Sequence, residues 1–293
     1  MSTPLLSVRD LVKAYGSTRA LNGVSVELRA GEILAVTGPS GSGKSTLLHC
    51  LAGIVRPDGG TVHYGQERLD QASERRLSEL RRSDFGVVFQ FGQLIPELTA
   101  IDNVALPLML AGADRADARA TAGEWLERFG VRGQESLRPG EMSGGQAQRV
   151  SLARALVTGP KAVFADEPTG ALDSLAGEQV MSALVHTARE AGTAVLLVTH
   201  DAQVAAYADR EVRMHDGRQR PDATAGAPAD PNAQNDQNDQ NDQDDRRDQN
   251  DRADQNDRAD PNDQNDRADP NGQNDRGDRI RRPAPLSSQE PPR

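Results

Sequence analysis

Residues 38–45 combine three glycines with a lysine and serines at spacings suited to phosphate binding. They fit the pattern G-x-x-x-x-G-K-[ST] and lie between a predicted buried strand, residues 33–37, and a predicted apolar helix, residues 46–54. Glycines allow backbone N–H groups to face an anion without Cβ clashes, and the helix directs its positive dipole end to the same point. The pattern therefore predicts a nucleoside triphosphate site. Its residues are Gly38, Pro39, Ser40, Gly41, Ser42, Gly43, Lys44 and Ser45, followed by Thr46.

Two acids after a second apolar strand predict the rest of a hydrolytic site. Asp166 and Glu167 follow the run at residues 162–165, and ligands of open parallel α/β sheets bind beyond the carboxyl ends of the strands. We expect Lys44 to reach the β- and γ-phosphates, and Ser45 and Asp166 to hold Mg²⁺ from opposite sides. Glu167 is placed to orient or deprotonate the attacking water. Adjacent acids at this position favour hydrolysis over nucleotide binding alone.

A further glycine turn lies about 20 residues before Asp166, formed by Met142, Ser143, Gly144, Gly145 and Gln146. A Ser-Gly-Gly turn that opens a helix is an ordinary helix N-cap, and it is also a second anion site with free N–H groups. In this order the chain resembles the ATP-binding cassette (ABC) family, whose signature is Leu-Ser-Gly-Gly-Gln. The resemblance covers about residues 5–217. Met142 replaces the usual leucine, and we expect little effect because methionine is an apolar near-isostere. Ala147 stands where a second polar residue is common.

The resemblance implies roles for four further residues. Gln90, at the end of a predicted strand over residues 85–90, resembles the glutamine that senses Mg²⁺ and the membrane partner. Asp173 resembles the aspartate of the D-loop, and His200 the switch histidine. Tyr15 resembles the aromatic residue that stacks on adenine. The implied cofactors are ATP and Mg²⁺, the implied catalytic residues are Glu167, His200 and Lys44, and the implied metal ligands are Ser45, Gln90 and Asp166.

Buried strands that alternate with helical segments predict an α/β fold with a mostly parallel sheet and crossover connections. Short strands are also predicted at residues 6–12 and 24–28, before the phosphate-binding pattern. The resemblance implies a P-loop NTPase fold of the ABC type. This fold has a RecA-like, mostly parallel core sheet, an antiparallel β subdomain and an α-helical subdomain inserted at about residues 91–154. The ATPase domain is predicted to span residues 1–217.

The last part of the chain, residues 218–293, has a different composition. It contains no aromatic residue, and Ile280 and Leu286 are its only large aliphatic side chains. An imperfect repeat of Gln-Asn-Asp and Asp-Arg-Ala-Asp units fills most of it. Such a sequence cannot bury enough apolar surface to offset the entropy of ordering, so we predict a disordered C-terminal tail.

Composition narrows the partners and the location. Basic residues are interleaved with acids and aromatic residues are few, so no nucleic acid partner is expected. The single cysteine, Cys50, fits a reducing compartment. The N-terminus lacks the blocks of a signal peptide, and no stretch reaches the roughly 20 apolar residues of a membrane-spanning helix. We expect a cytoplasmic protein, bound peripherally at the inner face of the cell membrane.

Two stretches, residues 88–104 and 165–173, resemble the lipoprotein-release and macrolide-export branch of the family. This implies an ATPase that powers a separate membrane permease, for export or extrusion of a lipoprotein, peptide or drug. It also implies a second copy of the chain in an ATP-bound head-to-tail dimer. The alternative within the branch is an ATPase that transmits mechanical work without net transport. A ribosome- or DNA-acting ATPase is disfavoured by the single motif set and the lack of sustained heptads, and a P-loop kinase by the Ser-Gly-Gly-Gln turn.

Overall fold

The computed structural model describes residues 3–90 and 92–220 of the chain. Ten strands are present in this part: β1 (Leu6–Tyr15), β2 (Thr18–Leu28), β3 (Ile33–Thr37), β4 (Gly59–Tyr64), β5 (Glu67–Arg68), β6 (Phe85–Val88), β7 (Ala162–Asp166), β8 (Ala194–Val198), β9 (Arg210–His215) and β10 (Arg218–Gln219). Four of them form an antiparallel sheet in the order β2-β1-β4-β5. The other six form a second sheet in the order β10-β9-β3-β8-β7-β6.

The second sheet is mostly parallel, as the sequence predicts. Strand β3 pairs in parallel with β8 and β9, and β7 with β6 and β8, whereas β10 is antiparallel to β9. Nearly every residue of β3, β7 and β8 is buried, because elements cover both faces of the sheet. Successive side chains enter two separate apolar clusters: Leu34, Phe164 and Leu196 lie in one, and Ile33, Val163 and Val195 in the other.

Seven α-helices accompany the sheets: α1 (Lys44–Leu51), α2 (Glu74–Ser83), α3 (Ala100–Leu110), α4 (Arg115–Arg128), α5 (Gly144–Leu156), α6 (Ser174–Ala191) and α7 (Ala202–Ala205) within the described residues. Helix α4 begins after its N-cap Asp114, whose side chain accepts from Ala116 N. The N-cap of α3 is Thr99. The hydroxyl of Thr99 accepts the N–H of Asp102, which places Asp102 inside the first turn of the helix.

The helices cover the parallel sheet on both sides. Helices α1 and α2 share one apolar cluster with the antiparallel sheet, and α3, α4, α5 and α6 share the other. Helix α5 lies close against the edge strand β6, since a Cβ on Gly86 would be 2.2 Å from the carbonyl oxygen of Ala155. The antiparallel sheet, the parallel sheet and the inserted helices thus form the expected architecture.

The described fold continues to Gln219, two residues beyond the predicted limit at 217. Strand β10 pairs with β9 through backbone hydrogen bonds, which need no apolar side chains and leave no compositional signal. The prediction for the rest of residues 218–293 lies outside the described part of the chain. Within that part, no helix is both long and apolar enough to cross a membrane.

Replacing Phe164 by alanine should destabilise the fold by roughly 3–5 kcal/mol, because a large buried side chain is lost and a cavity remains. Phe164 is fully buried and meets the ring of Phe85 edge-on at 5.3 Å. Urea unfolding measures the change in the free energy of unfolding. The control Leu175→Ala removes a side chain that is 67% exposed, and should change stability by less than about 0.5 kcal/mol. Equal effects of the two substitutions would contradict this assignment of the core.

Candidate active site

The phosphate loop, residues 38–45, joins β3 to α1 and depends on glycine at two close approaches. Gly38 and Gly43 have φ of 142° and 96°. A Cβ on Gly43 would lie 2.2 Å from the carbonyl oxygen of Ala20, and one on Gly38 would lie 2.1 Å from that of Met214. Any larger residue would therefore displace the backbone of β2 or β9. The loop is fixed between the two sheets.

Lys44 begins α1 and points back over the loop. It is 7% exposed, and its Nζ donates to the carbonyl oxygens of Gly38 at 2.8 Å and Pro39 at 2.9 Å. Both partners are neutral, so the ammonium keeps its capacity to bind an anion. The N-cap, Gly43, contributes no side-chain hydrogen bond to α1. The first N–H groups of the helix are thus free for an anion, to which the helix dipole adds attraction.

Asp166 ends β7 and faces the start of α1. It is 9% exposed, and Ser45 Oγ donates to its Oδ1 at 3.0 Å. Burial raises the pKa of the Asp166 carboxyl, which the hydrogen bond from Ser45 opposes. Burial thus opposes the charge of this carboxylate, an effect that a bound cation would offset.

Glu167, the next residue, has a strained backbone and a firmly held carboxylate. Its φ is 47°, a left-handed conformation that costs a non-glycine residue roughly 1–3 kcal/mol and is concentrated at active sites. Oε1 lies 2.7 Å from Nδ1 of His200, and Oε2 accepts from Thr199 Oγ1 at 3.3 Å. The Glu167 side chain is 14% exposed and that of His200 is 65% exposed. The carboxylate is held on one side and open to the cleft on the other.

These segments meet in one cleft of about 580 Å³. Its lining residues come from the phosphate loop and the start of α1, from strand β2, and from positions that follow three other strands. They are Ala20, Pro39, Ser40, Gly41, Gly43, Lys44, Ser45, Thr46, Gln90, Glu167 and His200. All were predicted from the sequence except Ala20, which contributes no reactive group and gives no sequence signal. Thr199 was also missed as a site residue, although its place beside His200 at the end of a buried strand could have indicated it.

Three other residues of the predicted site adjoin the cleft without lining it. Asp166 contacts Ser45, and the carbonyl of Gly38 holds Lys44, as described above. Ser42 is 2% exposed, and its Oγ is buried without a hydrogen-bond partner. A Cβ on Gly38 would lie 3.0 Å from this hydroxyl, which places it on the inner side of the loop.

Tyr15 lies at the end of β1, outside the residues that line the cleft, and is 51% exposed. Lys13 Nζ is 5.6 Å from the centre of its ring and 2.8 Å from Asp58 Oδ1. Asp58 also accepts from the backbone N–H of Ala14 at 2.7 Å. Tyr15 thus presents a free ring face on a segment that Asp58 holds in place.

The Ser-Gly-Gly-Gln turn, residues 143–146, opens α5 and does not line the cleft. Ser143 Oγ accepts from Gln146 N at 3.3 Å, and Gln146 Oε1 accepts from Ser143 N at 2.8 Å. Ser143 and Gly144 are exposed. Asp173 is the N-cap of α6, where it accepts from Ala176 N at 2.9 Å, and it lies near this turn. The turn and the D-loop therefore form a second surface, separate from the phosphate loop.

The cleft fits a nucleoside triphosphate with Mg²⁺. Buried Lys44 and the uncapped start of α1 supply donors for phosphate oxygens. Among the described residues, no three His, Cys, Asp or Glu side chains converge as a metal site. One carboxylate and one hydroxyl, Asp166 and Ser45, suit Mg²⁺, which in phosphate-transfer sites takes one or two carboxylates together with substrate phosphates and waters.

Comparison with known proteins identifies the fold and its chemistry. Residues 21–170 match the ABC transporter family. The chain is 44% identical over 218 residues to the lipoprotein-releasing system ATP-binding protein LolD of Geobacter metallireducens, covering 73% of this chain and 97% of the relative. LolD of Bordetella pertussis is 46% identical over 223 residues, which cover 75% of this chain and 96% of the relative.

Solved structures of ABC cassettes also match the fold of this chain. One chain of the dimeric structure of the ATP-binding cassette MJ0796, in a post-hydrolysis state bound to ADP and Pi, superimposes with a TM-score of 0.70 at 36% identity, over 74% of this chain and 97% of that one. The protein cbiO1 of Clostridium perfringens, part of the ABC transporter complex cbiONQ, gives 0.68 at 30% identity, over 75% and 88%. With these relatives and this cleft, the chain belongs to the ABC transporter family, as an ATP-binding and ATP-hydrolysing subunit.

Proposed function

We propose that this chain hydrolyses ATP to power a separate membrane permease that releases lipoproteins. Two relatives of 44% and 46% identity, aligned over nearly their whole length, are lipoprotein-releasing system ATP-binding proteins. The observation that carries the hydrolytic part is the carboxylate of Glu167, held by Thr199 and His200 beside the Ser45–Asp166 pair. The subunit acts peripherally at the inner face of the membrane, where its partner lies.

Substrate binding rests on the phosphate loop and on α1. Lys44 exchanges its carbonyl partners for the β- and γ-phosphates of ATP, and the first N–H groups of α1 bind the same oxygens. Tyr15 stacks on the adenine. Ser45, Asp166 and Gln90 hold Mg²⁺, which neutralises charge on the phosphates when it is bound.

Hydrolysis rests on Glu167. Its carboxylate accepts a proton from water while the water oxygen bonds to the γ-phosphorus and the bond to the bridging oxygen breaks, which yields ADP and phosphate. Thr199 fixes one carboxylate oxygen and His200 the other, and His200 is exposed enough to reach the γ-phosphate as well. Because the backbone of Glu167 is left-handed, the side chain leaves the strand end toward the cleft.

Two copies of the chain act as a head-to-tail dimer. The turn at residues 143–146 does not line its own cleft, and the N–H groups of Gly144 and Gly145, at the first two positions of α5, are suited to the γ-phosphate bound by a partner copy. The relative MJ0796 is dimeric in two solved structures, which supports the pairing of two copies. ATP favours the closed dimer only to the extent that it binds that state more tightly than the open one.

Replacing Glu167 by glutamine should lower kcat for ATP by at least about 100-fold, since Gln cannot accept the proton. ATP affinity should stay within a few-fold of wild type, and a stable ATP-bound dimer should accumulate. Phosphate release and size-exclusion chromatography measure the two effects. The control Lys44→Ala should lose affinity for a fluorescent ATP analogue and form no such dimer. Turnover near the wild-type rate in the Glu167 variant would remove this residue from its role.

Replacing Asp166 by asparagine should stabilise the protein that lacks metal and nucleotide. Burial raises the pKa of Asp166, so the carboxylate destabilises the fold at neutral pH. A pKa raised in the folded state means that the wild-type deficit is full above that pKa and shrinks as pH falls through it toward the unfolded value. Thermal unfolding of both proteins from neutral pH down to the unfolded-state pKa of 3.8 measures the difference.

The same Asp166 variant should lose the extra stability that Mg²⁺ adds to the ATP complex. The control Glu124→Gln removes an exposed carboxylate in the middle of α4, and should leave both the melting temperature and its response to Mg²⁺ unchanged. A variant of Asp166 that still gains stability from Mg²⁺ would exclude this carboxylate as a metal ligand.

Tagged Glu167→Gln protein, purified from its own membranes in ATP, should retain the permease. We expect mass spectrometry to identify a membrane protein with few membrane helices and a large extracytoplasmic domain. Lys44→Ala protein, treated in parallel, gives the background. A many-helix permease with a substrate-binding protein would place the chain among importers, and ribosomes or DNA would overturn the membrane assignment.

A further inference from the structure

One arginine of α5 binds the backbone of the segment that follows Gln90. Arg154 Nη2 donates to the carbonyl oxygen of Gly92 at 2.8 Å, and its Nη1 donates to that of Gln93 at 2.9 Å. Burial lowers the pKa of this guanidinium, and no carboxylate of the described chain offsets that effect. A charge that has lost water without gaining an ion pair must be held by its hydrogen bonds, and such charge-assisted bonds are stronger than neutral ones.

A second residue on the same face of α5 binds the same carbonyl. Ser151 is fully buried, and its Oγ donates to the carbonyl oxygen of Gly92 at 2.9 Å. Ser151 and Arg154 are three residues apart, so they lie one above the other on one face of the helix. Gly92 therefore accepts two side-chain hydrogen bonds from adjacent turns of α5. These bonds, with the one to Gln93, are here called the loop clamp.

The clamped segment is a tight turn tied to the end of β6. Gly92 N donates to the carbonyl oxygen of Phe89 at 2.9 Å, which closes the turn around Gln90. Gly92 and Gln93 both have positive φ, of 66° and 41°. The second value is unusual for a residue with a side chain. The turn thus holds a conformation that local preferences do not supply, and the loop clamp provides the stabilisation.

The two ends of this connection are both parts of the proposed ATPase site. Gln90 lines the cleft, and α5 begins with the Ser-Gly-Gly turn. From Ser143 to Ser151 the helix rises about 12 Å, without a proline or an internal break. We therefore expect α5 to move as a rigid body when the turn at Gly92 is displaced.

We propose that Arg154 and Ser151 are positioning residues that make the Gln90 segment and α5 move as one body. The contact of Gln90 with one nucleotide then sets the position of the Ser-Gly-Gly turn at the nucleotide of the partner copy. The second half of this inference rests on the proposed head-to-tail dimer, whereas the first half concerns a single chain.

The test uses full-length Glu167→Gln protein, which holds ATP without turnover, as the parent. Arg154→Gln removes the charge and the two-carbonyl geometry, Arg154→Lys keeps the charge but reaches one carbonyl, and Ser151→Ala removes a single bond. The matched control is Arg56→Gln. Arg56 also donates to two carbonyls, those of Asp70 and Ala72, but it contacts nothing at Gln90 or α5.

Three measurements are made on each protein. Fluorescent ATP analogue binding reports the cleft, and sedimentation reports the ATP-dependent dimer. Hydrogen exchange of the amides of Gln146 and Ala147, at dilutions where the chain is monomeric, reports whether ATP binding reaches the start of α5. Thermal unfolding shows that each variant is folded.

Arg154→Gln should bind the analogue within about 2-fold of the parent but weaken the dimer by about 10-fold, a typical allosteric coupling. ATP should no longer alter exchange at Gln146 and Ala147. Arg154→Lys and Ser151→Ala should lie between these limits, and Arg56→Gln should match the parent.

If the Arg154 and Ser151 variants dimerise and exchange as the parent does, the proposed role of the loop clamp is contradicted. An equal loss of analogue binding would also overturn it, because the residues would then only support the cleft. A third outcome separates the two proposals. In it the parent forms no dimer, ATP still alters exchange at the start of α5, and Arg154→Gln abolishes that response. The proposed dimer would then be wrong, and the coupling through Arg154 and Ser151 would be supported.

Discussion

Parallel pairing of β3 with β8, and of β8 with β7, is the constraint on which the site depends. It brings the carboxyl ends of these strands to one edge of the sheet, and each strand is followed there by functional side chains. The phosphate loop follows β3, Asp166 and Glu167 lie at the end of β7, and His200 comes after β8. A shift of one residue in either pairing would turn buried side chains to the wrong face, and would separate Glu167 from His200.

The charges of the cleft are placed at a cost to stability. Asp166 is buried with a raised pKa, Lys44 is buried against neutral carbonyls, and Glu167 has a left-handed backbone. Each of these features opposes folding and is retained by the packing of three strands that are almost wholly buried. The arrangement is typical of sites whose ligand supplies the missing counter-charges.

Much of the cleft could be predicted because its residues are local in sequence. A glycine-rich turn between strand and helix, or a pair of acids after an apolar strand, is a short pattern with a direct physical meaning. Contacts made by the backbone could not be predicted in this way. The carbonyl of Ala20 beside Gly43, the carbonyl of Gly92 under Arg154 and the backbone pairing of β10 leave no trace in residue type. Strand β9 could have been found, since Val212 and Met214 alternate with charged residues along it.

The contact between Gly43 and Ala20 also governs how the molecule can deform. Strand β2 belongs to the antiparallel sheet, yet its backbone leaves no clearance at the phosphate loop. Asn22 N donates to the carbonyl oxygen of Gly217, and Gly217 N to that of Ser42, so β2, the loop and the end of β9 are bonded in series. The two sheets therefore form one stiff frame around the phosphate loop. Helix α5 meets the edge strand β6 with equally little clearance at Gly86, so its C-terminal end is fixed to this frame, and any displacement of the Ser-Gly-Gly turn at its other end is a rotation about that fixed point.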